Sequence, residues 1–289
     1  MILVKKRGHR IVMIIVGVLS ILIGCLLIST ALLEHEAYFA PDYAKIDIIP
    51  VLSKKQLNKA DYEILFYQTG LGKPAIDELR EGSPDSTLRI LYFQAALYRD
   101  IHYICEKNSP ISKEESVVDE NNSYINGTEL AILHNGFILI TKASHTYGWR
   151  NGHAALIVDA AQGATLESVV WGTNSCLQHI NKWTNYPDFM LFRLKNASSE
   201  LLNEIAQSAL KNMNDIPYDF MVGIWHPKFR KAEEITVTHC SHLVWEAFRL
   251  FDYDLDSDGG MIVTPKDIAN SPNLEVVQVF GVNPKEIWP

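Results

Sequence analysis

The run from Ile11 to Leu33 carries no charged side chain, and Lys5, Lys6, Arg7 and Arg10 stand directly before it. A helix that crosses a bilayer needs roughly 20 consecutive apolar residues, and this run supplies them. The basic cluster marks residues 1–10 as a cytoplasmic tail, because positive flanks stay inside. Residues 11–33 are then expected to be a single-pass anchor, with everything after Leu33 extracytoplasmic. Two other readings also export the rest of the chain. One is a cleaved signal peptide, whose apolar core is usually shorter. The other is lipidation at Cys25, after Leu22-Ile23-Gly24, although Leu26, Leu27 and Ile28 continue the apolar run where a lipoprotein turns polar.

Charge narrows the partners. Without the four basic residues before the run, the chain holds 22 Lys+Arg against 34 Asp+Glu, a balance of about −12. An acidic domain is poorly suited to nucleic acid, so no nucleic-acid partner is expected. Four cysteines, Cys25, Cys105, Cys176 and Cys240, are too few for a disulfide scaffold. Cys105 and Cys176 could still pair outside the cell, and a free Cys240 would then be a candidate reactive thiol.

Periodicity divides the remainder. Residues 34–125 read as an aromatic-rich connector followed by helices. The first carries Leu57, Tyr62, Leu65 and Phe66 up to Gly70, the second starts near Pro74, and the third runs from Ser83 or Asp85 to about Tyr98. The polar stretch from Glu114 to Gly127 offers little to bury and is the expected boundary. From residue 126 onward, short apolar runs separated by turn residues predict strands at Ala131 to Leu133, Phe137 to Thr141, His153 to Asp159, Ala164 to Val170, Phe189 to Leu194 and Val276 to Phe280. Helices are predicted at Ser199 to Met213 and His239 to Phe251. The pattern is α+β.

Within that second part, Thr238 is a suitable N-cap for a helix with Cys240 in its first turn. Unpaired N–H groups and the positive end of the dipole stabilise a thiolate there. Cys240 shares a helical face with Leu243, Val244, Ala247, Phe248 and Phe251, so it should point inward. A buried cysteine that merely fills space is the competing reading. His153, opening an apolar strand after Tyr147-Gly148-Trp149-Arg150-Asn151-Gly152, is placed to act as a base. Glu167, in the next apolar run, must be paired if it faces inward, and orienting the imidazole would pair it. An outward position on an edge strand is the alternative. His145 and His226 are other candidate bases, though neither opens an apolar strand.

Gly152-His153-Ala154-Ala155-Leu156-Ile157-Val158, then Glu167, then Pro217-Tyr218-Asp219, then Cys240-Ser241-His242-Leu243-Val244-Trp245, resembles the NlpC-type papain-fold superfamily. The order His, acid, Cys is that of the circularly permuted YiiX/YebB-like branch, and Thr264-Pro265-Lys266-Asp267-Ile268 with Ser271 is similar too. The resemblance covers roughly Thr128 to the C-terminus. It implies a permuted papain-like fold, an antiparallel sheet packed against helices, in residues 126–289, with Cys240 as nucleophile, His153 as base and Glu167 as the orienting group. It places Tyr218 near the oxyanion. Trp149, with Arg150, either flanks the cleft as a substrate-binding candidate or forms a surface turn, and His239 is a further substrate-binding candidate. No cofactor and no metal is implied. The expected activity is cleavage of amide bonds through a thiol acyl-enzyme, with a cell-wall peptide or lipid-derived substrate. Peptidoglycan peptides are the default, and lipid or ester hydrolysis, acyl transfer or a non-catalytic surface scaffold are the alternatives. Two departures stand out. His239 occupies the position where such peptidases usually carry Asp, and Gly136-Phe137 replaces a Gly-Asp pair in the strand before the histidine.

Two patterns invite a metal reading. Asp254-Leu255-Asp256-Ser257-Asp258-Gly259 opens like a calcium loop, but Pro265 stands where an EF-hand needs Glu, which favours an acidic surface turn. His239, Cys240 and His242 match no common zinc spacing.

Overall fold

The computed structural model describes residues 11–25, 38–82, 85–146 and 148–289. Residues 11–25 form the first helix, α1. The remainder of the expected span, 26–33, lies outside the described residues, and among those described no helix is long and apolar enough to cross a membrane. The connector's residues 34–37 and Ser83, one of two predicted helix starts, also fall outside.

Four helices follow: α2 (Ile49–Leu52), α3 (Lys59–Thr69), α4 (Lys73–Gly82) and α5 (Ser86–Leu97). Asn58 and Asp61 form a reciprocal capping box that starts α3, satisfying two otherwise orphaned N–H groups. Gly70 ends it at φ 71°, and a Cβ there would meet the Val279 carbonyl oxygen at 2.2 Å. That close approach lets the chain hook onto the last strand, β10 (Leu274–Phe280): Val279 N–H donates to Gly70 O at 2.7 Å, and Gly72 N–H to Val277 O at 2.9 Å. The helical segment is thus stitched to the C-terminal sheet.

Two antiparallel sheets follow. The smaller has the order β1 (His102–Lys107), β2 (Ser112–Val118), β4 (Ser144–Thr146), β5 (Trp149–Arg150). It spans the expected boundary, with β1 and β2 before residue 126 and β4 and β5 after it. The polar stretch beginning at Glu114 therefore contributes a strand, in which Glu115, Val117 and Val118 are buried.

The larger sheet has the order β10, β9 (Phe189–Leu194), β3 (Ile138–Thr141), β6 (His153–Asp159), β7 (Ala164–Glu167), β8 (Cys176–His179). β6 lies in its interior, and every residue from His153 to Val158 is buried, as a near-continuous apolar run requires. Helices α7 (Ser199–Met213) and α8 (Cys240–Arg249) pack on β6. The fully buried Leu243, Val244 and Phe248 of α8 each contribute roughly 1.5–3 kcal/mol by leaving water. The short helices α6 (Asn181–Thr184) and α9 (Pro265–Ala269) complete the order, and the fold is α+β.

Ala131 to Leu133 is not a strand. Ala131 N–H donates to the side chain of buried Gln278 at 2.7 Å, so its backbone is satisfied without a ladder. β7 stops at Glu167, three residues short of the predicted Val170.

Candidate active site

Gly152 delivers His153 to the start of β6. It adopts φ +72°, and a Cβ there would lie 2.5 Å from both the Thr141 carbonyl oxygen and the Trp288 ring. Thr141 is the register partner of His153 across β3 and β6. On the other flank Leu156 faces Leu166, which brings Glu167 level with Ala155, one alternation from His153 and on the same face. Glu167 is therefore interior, not on an edge, and is fully buried.

His153 Nε2 contacts Glu167 Oε2 at 2.7 Å. The carboxylate also receives Thr165 Oγ1 at 2.6 Å, Trp183 Nε1 at 3.0 Å and Lys182 Nζ at 2.6 Å. Burial alone would raise its pKa, but the hydrogen bond from His153 and the Lys182 charge prevail and hold it down at about 2. The Trp183 ring stacks on the imidazole at 5.6 Å and 16°, fixing its plane. Thr165, Lys182 and Trp183 were not singled out in the sequence. Alternation puts Thr165 on the Glu167 face, but nothing in the one-turn helix α6 signals its role.

Cys240 is the first residue of α8. The N-cap is His239, one residue later than the predicted Thr238. Thr238 instead extends the chain by pairing with Tyr218, and its Oγ1 meets His242 Nδ1 at 3.0 Å. Cys240 is half-buried as a residue, while His153 and His239 are buried. Both imidazoles stand beside the sulfur. Burial would raise the thiol pKa, yet the imidazole of His153, with that of His239 adjoining, brings it well below the usual value. His153 responds reciprocally: burial would lower it, but Cys240 and Glu167 raise it to about 9. With Nε2 committed to Glu167, Nδ1 is the nitrogen left for the sulfur. The arrangement favours a thiolate–imidazolium pair at neutral pH.

His239 accepts the His242 N–H through Nδ1 at 3.4 Å, and its buried Nε2 has no hydrogen-bond partner among the described residues. It caps the helix and faces the sulfur. Tyr218 is brought to Cys240 by its pairing with Thr238, with Asp219 N–H donating to Thr238 O at 2.8 Å. Burial and the neighbouring thiol raise the pKa of its hydroxyl, which stays protonated. Trp149 lies 43% exposed on β5, and no contact joins it to Cys240, His153 or Glu167 among the described interactions. The alternative bases lie elsewhere: His145 contacts Glu115 at 3.1 Å and His226 contacts Asp219 at 3.1 Å.

Phe137, where the resemblance leads one to expect Asp, is a buried core residue. Beside Thr141, the register partner of His153, lies the acid Asp188, which accepts Lys142 N–H at 2.6 Å and Thr141 Oγ1 at 3.2 Å. Burial raises its pKa to about 7. On the far side of α8, His242 donates through Nε2 to Lys228 O at 2.7 Å, and burial lowers its pKa to about 3. Lys228 Nζ reaches into the acidic loop, binding Asp256 and the Gly260 carbonyl, so an ammonium already offsets one of its charges. Cys105 and Cys176 are both free, on β1 and β8 of different sheets.

No family model matches the chain, and no curated protein matches it in sequence. Among solved structures it is similar to the metalloprotein YiiX from Escherichia coli O157:H7, with 14% identity and a TM-score of 0.39 over 50% of this chain and 96% of that one. A likeness of that score is too slight to carry a role from one chain to the other.

Proposed function

We propose that the chain is a cysteine hydrolase of the circularly permuted papain-like kind, tethered by its N-terminal apolar segment and acting outside the cytoplasm. The observation that carries this reading is a half-buried cysteine at a helix start, beside a buried imidazole whose other nitrogen is held by a buried, ionised carboxylate. A cysteine that only filled space would need neither partner.

The chemistry is acyl transfer. The Cys240 thiolate attacks the carbonyl carbon of an amide and forms a C–S bond. The carbonyl oxygen takes the negative charge beside the Cys240 backbone N–H, which at the first helical position has no intrahelical acceptor. The Tyr218 hydroxyl adds a donor on that side. His153 then gives its proton to the leaving nitrogen, and the C–N bond breaks. Water, deprotonated by His153, cleaves the thioester and returns the free thiolate. Glu167 stays ionised throughout and fixes which imidazole nitrogen faces the sulfur.

The substrate is assigned to cell-envelope amides, with peptidoglycan peptides first and lipid-derived esters or amides second. The N-terminal tether and the resemblance support that order. Incubating the wild type and Cys240→Ser with both classes, followed by mass spectrometry, tests it. The proposal expects product and a transient acyl adduct on Cys240 with the wild type alone. Turnover that persists in Cys240→Ser, or no adduct with either class, would count against it.

A further inference from the structure

The small sheet brings a second set of ligating side chains together, away from Cys240. Cys105 on β1 and Glu115 on β2 are register partners, and His145 on β4 reaches the same carboxylate. The cysteine sulfur, a carboxylate oxygen and an imidazole nitrogen all lie within 4.8 Å of one another. The sequence offered Cys105 only as a disulfide candidate and His145 only as an alternative base; the fold uses them for neither.

We propose that Cys105, Glu115 and His145 bind a borderline divalent cation of the zinc type, with a fourth position open to solvent. A tetrahedral zinc ion with bonds of about 2.0 Å to nitrogen and oxygen sets those atoms about 3.3 Å apart. His145 Nε2 and Glu115 Oε1 are 3.1 Å apart, close to that edge. Sulfur, nitrogen and oxygen donors together suit zinc, whereas calcium and magnesium take oxygen alone. Glu115 and most of His145 are buried, while Cys105 is exposed and gives the ion a way in.

Arg150 spans both oxygens of Glu115, at 2.8 and 2.9 Å. A carboxylate has about four lone-pair sites. Arg150 takes two and His145 one, so a site remains for the ion, and the imidazole turns from the carboxylate to the metal. The thiol loses its proton to solvent as the metal–sulfur bond forms. Arg150, with Lys113 opposite His145, opposes the added positive charge. The expected affinity is accordingly on the order of micromolar, weaker than that of sites built for metal alone. The ion would clip β1, β2 and β4 together. All residues of β1 are exposed or half-buried, so that strand has little core to hold it. The next strand, β5, leads directly into His153, which couples the clip to the position of the base.

The test is a cobalt(II) titration of the full-length protein in detergent, stripped of metal, followed by displacement with zinc. A thiolate-to-cobalt charge-transfer band reports sulfur ligation. The wild type and Cys240→Ser are expected to develop the band at one equivalent and lose it to zinc. Cys105→Ser should lack the band, and His145→Ala should weaken binding at least about tenfold. Circular dichroism checks that each variant is folded. The inference is overturned if the wild type gives no band, if the band survives in Cys105→Ser, or if it vanishes in Cys240→Ser. Cobalt binding does not depend on turnover, so failure here and failure of the hydrolase reading are separate results.

Discussion

Replacing Glu167 with Gln removes one charge from a fully buried site and leaves the shape almost unchanged. The carboxylate holds four donors, from His153, Thr165, Trp183 and Lys182, all within 3.0 Å. Its pKa in the folded chain is about 2, against an ordinary 4.5. A folded-state pKa below the unfolded value contributes stability that is complete above about pH 4.5 and lost as pH falls toward 2. The difference corresponds to about 3 kcal/mol at neutral pH, since each unit is worth about 1.4 kcal/mol. Urea denaturation at several pH values measures it. Glu167→Gln should be about 3 kcal/mol less stable than the wild type near pH 7, and about half that near pH 3. The imidazolium also loses its counter-charge, so the pKa of His153 should drop from about 9. A stability gap that does not change with pH would refute the reasoning, because loss of packing or of neutral hydrogen bonds has no such signature.

Two further substitutions test the scaffold around the site. Gly152→Ala places a methyl 2.5 Å from a backbone oxygen at φ +72°; a loss of roughly 2–4 kcal/mol and slower Cys240 alkylation are expected. Wild-type stability in that variant would mean that the close approach of β3 and Trp288 does not constrain His153. Asp188 has the opposite sign to Glu167: its pKa is raised by burial to about 7, so its contribution is complete below the ordinary 3.8 and disappears as pH rises through 7. Asp188→Asn should therefore gain on the wild type as pH rises from about 4 to about 7, by up to about 4 kcal/mol, and an unchanged difference across that range would exclude the buried acid as the cause.

The parts of the fold most legible in the sequence are those whose burial leaves a pattern. β6, β9 and α7 run over their predicted residues, because a both-face strand reads as a continuous apolar run and an amphipathic helix as a stripe. β1 and β2 left no such pattern. Lys113, Glu114 and Glu115 read as solvent-facing, yet Glu115 is buried because Arg150, distant in sequence, pairs with it. The settings of His153, Glu167 and Cys240, together with the resemblance, suggested a triad; the fold bonds His153 to Glu167, and the neighbouring His153 lowers the pKa of Cys240. Lys182 and Trp183 escaped notice because they reach Glu167 from a single helical turn, too short to show a period. Trp149 was drawn in by its nearness in sequence to His153, but β5 turns it toward solvent on the other sheet.

Everything functional rests on the ionisation of one sulfur, which the pH dependence of Cys240 alkylation reads directly. Full-length wild type and His153→Ala are treated with iodoacetamide across pH, and modification is followed on the Cys240 peptide by mass spectrometry. In the wild type the rate should reach its plateau well below the ordinary thiol range. In His153→Ala its midpoint should climb toward the ordinary thiol range, about 8.5, with a rate at pH 6 at least about tenfold lower. Superimposable profiles for the two proteins would contradict the pairing of Cys240 with His153 and, with it, the hydrolase.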